Sequence, residues 1–124
     1  MQDGKYTILC IDDDPDILEM LQLILTAHSY HVVQAPCAEE GLKVFKQTKP
    51  DLVIVDLMME EIDAGTNFVR ELKLLGVQVP VYMLSSMGDS LNMSTDYTSL
   101  GLAGILQKPV TPAALVALVK SKLK

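Results

Sequence analysis

Two apolar runs in this chain, Ile8-Leu9-Cys10-Ile11 and Leu52-Val53-Ile54-Val55, each end on aspartate: Asp12-Asp13-Asp14 after the first and Asp56 after the second. A third run, Val81-Tyr82-Met83-Leu84, ends on Ser85-Ser86, and a fourth, Ile105-Leu106-Gln107, ends on Lys108-Pro109. If these runs are neighbouring parallel strands, one edge of their sheet gathers several carboxylates, a hydroxyl and an ammonium. A carboxylate attacking an anionic phosphoryl group meets like-charge repulsion, so the phosphoryl charge must be neutralised as the bond forms. Mg²⁺ suits that task, being hard, octahedral and typically held by one or two carboxylates, substrate oxygens and waters. The lysine adds a second positive charge and the serine a hydrogen bond to a phosphoryl oxygen. The chemistry indicated is phosphoryl transfer onto an aspartate, which depends mostly on positioning and electrostatics.

The elements that must hold these residues alternate strictly. Residues 6–11 are strand-like, and Pro15, suited to a first helical turn, opens a segment with Ile17, Leu18, Leu21, Ile24 and Leu25 on one stripe. A second strand spans 31–35. Leu42, Val44 and Phe45 lie at roughly helical spacing within 38–47, with Glu39 and Glu40 in a first turn where the helix dipole favours them. Strands at 52–55 and 81–84 flank a helix over 68–75 that stops at Gly76. A fifth strand spans 104–107 and a last helix about 112–123. Five short buried strands alternating with helices predict a five-stranded, doubly wound parallel sheet covered on both faces. Ligands of such sheets bind beyond the carboxyl ends of the strands, where the four motifs would meet.

At 124 residues the chain is one domain, 1–124, with no repeat or linker. Hydrophobic residues make up 49% and aromatics 5%, so the core must be aliphatic, with the seven methionines as filler. No apolar run approaches the roughly 18–20 residues of a membrane span, and Met1-Gln2-Asp3-Gly4-Lys5 lacks a signal peptide's apolar stretch. Cys10 and Cys37 form no metal or redox pair and read as reduced thiols of a cytoplasmic protein. The net charge of −6 disfavours direct nucleic-acid binding, which relies on Lys and Arg.

IDDDPD after the first strand, DLVIVD ending the third, MLSS after the fourth and LQKP after the fifth resemble the receiver domain of bacterial two-component response regulators. No single piece is specific, but four in register across the whole chain are. The resemblance implies a flavodoxin-like (β/α)5 fold and a phosphoryl group accepted from a sensor histidine kinase or a histidine phosphotransfer protein. Asp56 matches the phosphoacceptor. Asp12 and Asp13 match the acidic pair at the Mg²⁺ site, with Asp13 as direct ligand, and Met58 falls where the family lends a backbone carbonyl to the metal. Ser85 matches the hydroxyl, and Lys108 the lysine that precedes a cis proline, here Pro109. Such a domain is a switch that catalyses its own phosphorylation and dephosphorylation, not a turnover enzyme. Any output domain would lie outside these 124 residues.

Several features depart from the common receiver pattern. The loop 57–65 carries Glu60 where a proline usually stands and one extra residue before Gly65. Segment 88–100 is rich in Ser and Thr and poor in helix propensity. Ile105 replaces the aromatic residue whose rotation accompanies phosphorylation in many receivers. Met58 and Met87 occupy the positions that help set self-hydrolysis in the family, and neither can orient a water by hydrogen bonding, which implies a long-lived phosphoryl form. In the last helix Leu115, Leu118 and Val119 suffice to cover a sheet. That leaves Val116 at the edge of the stripe and Ala113 and Ala117 facing away. Two readings stand side by side: the alanines serve helix propensity and Val116 is partly covered by neighbours, or this helix, with the Ile105 strand and the 88–100 segment, forms a phosphorylation-dependent contact surface that could serve a homodimer.

Other readings fare worse. Asp12, Asp14 and Asp16 imitate the start of an EF-hand loop, but Ile17 stands where that loop needs glycine. Asp14 and Asp16 also suit a plain helix cap. A haloacid-dehalogenase-type phosphatase needs a second acid two residues after its nucleophile, where Met58 stands. A flavin binder would place a hydroxyl- and glycine-rich loop at Asp12-Asp13-Asp14. His28 and His31 read as ordinary loop histidines. A degenerate receiver acting only as a binding module is the runner-up, although every residue needed for transfer is present.

Overall fold

A strand buried on both faces must be apolar at every position, and that is how the central strands read. The computed structural model describes residues 5–56, 71, 72, 74, 79–85, 104–107 and 111–123, and joins five strands into one sheet. They are β1 (Thr7–Ile11), β2 (His31–Ala35), β3 (Leu52–Asp56), β4 (Val81–Ser85) and β5 (Gly104–Gln107), all parallel, in the order β2-β1-β3-β4-β5. Three helices follow in sequence: α1 (Pro15–Ala27), α2 (Ala38–Thr48) and α3 (Pro112–Leu123). Glu71, Leu72 and Leu74, inside the expected 68–75 helix, are helical too. The five expected strands and the helices at 38–47 and 112–123 are therefore present, with ends shifted by a residue at most, whereas Gly76, where the 68–75 helix is expected to stop, lies outside the described residues. Among the described residues, no helix is long and apolar enough to cross a membrane.

Alternation along the strands splits the core in two. Ile8, Cys10, Leu52, Ile54, Tyr82 and Leu84 face Leu18, Leu21 and Leu25 of α1 and Leu115 and Val119 of α3. Leu9, Ile11, Val53, Val55, Val81 and Met83 point the other way, toward Phe45 of α2 and Leu72. Residues 8–11 and 52–55 have no solvent exposure, and each large aliphatic side chain buried so stabilises by roughly 1.5–3 kcal/mol. The helix faces follow the expected stripes, and Val116, at the edge of its stripe, is covered by its neighbours rather than left open, the first of the two readings of this helix. A helix lying on a sheet covers an arc of about 100° or more, wider than a single contact row. Ala113 and Ala117 are exposed, as expected.

The chain runs from β1 outward to β2, then returns across β1 to form β3 on its other side. Helices leaving β1 and β2 therefore cover opposite faces, and the carboxyl ends of β1 and β3 open a crevice between them.

Candidate functional site

The crevice is lined by the acids that end β1 and β3. Asp12 continues the β1–β2 ladder by one step, its N–H donating to the Ala35 carbonyl at 3.2 Å. Its side chain has no solvent exposure, and its Oδ1 accepts from the Asp14 N–H at 2.9 Å. The chain bends at Asp13, which is exposed. Asp14 takes an extended conformation and caps α1, its Oδ1 accepting from the Asp16 N–H at 2.9 Å, with Pro15 next as the first helical residue. Asp56, the last residue of β3, is 5% exposed. It stands between β1 and β4, in register with Leu84.

One carboxylate oxygen from each of Asp12, Asp13 and Asp56 lies within 4.8 Å of the others. Two buried carboxylates at such a separation repel by about 3 kcal/mol at an effective dielectric of about 20, so the cluster favours a bound cation. Hard oxygen donors held this closely fit a divalent ion of the Mg²⁺ or Ca²⁺ type. The ground beneath is apolar: burial, and then the charge of Asp12, push the Cys10 thiol up to about 12, so it stays protonated.

The other sequence candidates divide. Ser85 ends β4 one step beyond Leu84, the register partner of Asp56, so its backbone reaches the same edge of the sheet. Lys108 and Met58 lie outside the described residues, as do Pro109, Met87, the 57–65 loop and the 88–100 segment; of Ile105 the backbone alone is described, within β5. Asp12, Asp13 and Asp56 are thus the candidates seen brought together. Among the described residues no histidine or cysteine joins them: His28 ends α1 through its backbone N–H, and His31 opens β2, the strand expected over 31–35. Both cysteines are free, Cys10 buried and Cys37 half-buried. Sequence reasoning missed the Ala35 carbonyl that holds the Asp12 amide, because any residue there would offer the same group.

Comparison with known proteins shows the family and the fold. The family model of the response regulator receiver domain matches residues 8–120. The transcriptional regulatory protein GlrR of Escherichia coli (strain K12) is 38% identical over 117 residues, covering 94% of this chain and 26% of that protein. The alkaline phosphatase synthesis transcriptional regulatory protein PhoP of Bacillus subtilis (strain 168) is 31% identical over 117 residues, covering 94% of this chain and 48% of that protein. A crystal structure of a response regulator receiver domain protein from Clostridium thermocellum superposes with a TM-score of 0.86 at 29% identity, covering 95% of this chain and 94% of that one. The chain spans about a quarter of GlrR and about half of PhoP.

Proposed function

The chain belongs to the response regulator receiver domain family, and from that premise we propose that it takes a phosphoryl group from a histidine kinase, or a histidine phosphotransfer protein, onto Asp56. The observation that carries this reading is the convergence of Asp12, Asp13 and Asp56 at the carboxyl edge of the sheet. A carboxylate oxygen of Asp56 attacks phosphorus in line with the donor's P–N bond. That bond breaks, the imidazole keeps its electron pair, and an acyl phosphate forms on Asp56. Burial at the end of β3 limits the conformations open to the Asp56 carboxylate, so little entropy is lost in reaching the attacking geometry. The Ser85 hydroxyl donates to a phosphoryl oxygen, and the Lys108 ammonium offsets the charge gathered on it.

Asp12, Asp13, Asp56 and the Met58 carbonyl would hold Mg²⁺. When bound, the ion supplies charge neutralisation of the carboxylates and of the phosphoryl oxygens. Hydrolysis of the acyl phosphate to inorganic phosphate needs a water aimed at phosphorus, and Met58 and Met87 cannot aim one; the phosphorylated state is accordingly long-lived. The domain works as a cytoplasmic switch that catalyses its own phosphorylation and dephosphorylation. Its phosphorylated form binds a second copy through α3 and β5, or controls an output of the kind that the longer transcriptional regulators carry.

Incubation with acetyl phosphate and MgCl₂, followed by intact-mass measurement, tests the reading. One phosphoryl group should add to the wild type, none with a chelator present, and none to Asp56→Asn, whose amide is a poor nucleophile. Equal labelling of Asp56→Asn and wild type would overturn the assignment.

A further inference from the structure

Three consecutive aspartates follow β1, yet only the first two join the acidic cluster. We propose that the third, Asp14, is a positioning residue for the cation site: its backbone N–H holds the Asp12 carboxylate, and its side chain fixes that N–H in place. The inference rests on the cation-binding reading of Asp12, Asp13 and Asp56 given above.

The argument follows a chain of contacts. Asp12 is anchored through its backbone to Ala35, and its buried carboxylate turns about two side-chain torsions that its contacts must hold. The 2.9 Å bond from the Asp14 N–H to Asp12 Oδ1 is one of those contacts and fixes the direction of that oxygen. Asp14 itself sits in the extended conformation of a helix N-cap, φ −94° and ψ 111°, so the peptide that carries its N–H is joined directly to the start of α1. Two further bonds hold it there: its Oδ1 accepts from Asp16 N–H at 2.9 Å, and its carbonyl accepts from Leu18 N–H at 3.2 Å. Leu18, Leu21 and Leu25 in turn bury one face of α1 against the sheet. The helix is thereby tied to the carboxylate through a single residue. Asp14 also carries a charge near the cluster, so a direct electrostatic effect on the cation must be separated from positioning.

Substitution at one site separates them. Asp14→Asn and Asp14→Ser lose the charge but keep a side-chain oxygen able to cap; Asp14→Ala loses both. Each variant of the full chain is titrated with MgCl₂, following the amide NMR signals of Asp13 and Asp56, at low and at high KCl. Asp14→Ala should bind Mg²⁺ roughly tenfold more weakly, the lower end of the range for outer-shell partners of metal ligands, while Asp14→Asn and Asp14→Ser stay within about twofold of wild type. The deficit of Asp14→Ala should persist at high salt, where exposed charges more than a few ångströms away are screened. Exchange of the residue-14 amide should quicken in Asp14→Ala alone. Wild-type affinity in Asp14→Ala, or an equal loss in all three variants that salt abolishes, overturns the proposal and leaves the cation site standing. No Mg²⁺-dependent shift in the wild type sinks the cation reading itself, and this inference with it.

Discussion

The two ends of the β1–β3 pair both carry carboxylates and use them in opposite ways. At the amino end Asp51 closes a two-bond ring with Thr7: the Thr7 N–H donates to Asp51 Oδ2 at 2.8 Å, and the Asp51 N–H donates to the Thr7 carbonyl at 2.7 Å. The charge is spread over a backbone donor, and the pair ties the start of β3 to that of β1. At the carboxyl end Asp12, Asp13 and Asp56 approach one another instead, two of them buried. One end spends its acid on holding strands together, whereas the other assembles acids at a cost in stability. Carboxylates brought together against their own repulsion, over an apolar floor, are expected where a cation and a phosphoryl group are to be received.

Mutation should therefore have crossed effects at the two ends. Asp13→Ala is expected to weaken Mg²⁺ binding by more than about tenfold, the lower bound seen for even outer-shell partners of metal ligands. It should also raise the thermal midpoint of the metal-free protein, because a like charge has gone. Calorimetry with and without MgCl₂ reads both; a metal-free midpoint that falls would mean that Asp13 has a stabilising part like that of Asp51.

Asp51→Ala should do the reverse. With its acceptor gone, the N–H of fully buried Thr7 loses its partner, at a cost of about 1–3 kcal/mol in urea unfolding. Labelling by acetyl phosphate should be unchanged. Loss of labelling in a folded Asp51→Ala protein would erase the distinction between the ends.

The smallest effect is confined to alkaline solution. The Cys10 thiol, with its pKa raised from 9.0 to about 12 by burial and by Asp12, favours the folded state while it stays protonated there. That contribution is complete below pH 9 and is lost as pH rises from 9 toward 12. Tyr30 and Tyr82, raised above 10.0 by burial, act in the same direction. Cys10→Val should thus lose stability less steeply than wild type across pH 9–12, as measured by urea unfolding at each pH. Parallel slopes would place the Cys10 thiol nearer water, and the floor of the site would be less apolar than described.

Much of this was legible in the chain itself. Continuous apolar runs at 8–11 and 52–55 mark strands covered on both sides, because a polar residue within them would lie unsolvated in the core. The step from each run to aspartate marks the strand's end, and Asp14-Pro15 marks the start of a helix by removing an N–H that has no partner and capping another. Periodicity could not say which strands become neighbours. Asp12 and Asp56 meet because the sheet is ordered β2-β1-β3-β4-β5, which long-range packing selects. Nor could composition divide Asp12-Asp13-Asp14 into a buried member of the acidic cluster, an exposed member and a cap. Three identical side chains acquire different parts only when the bend at Asp13 turns one toward Asp56 and the first turn of α1 claims another. Residue type set what chemistry was available here, and tertiary packing decided which atoms meet to perform it, because carboxylates interact through distance and dielectric, neither of which is written along the chain.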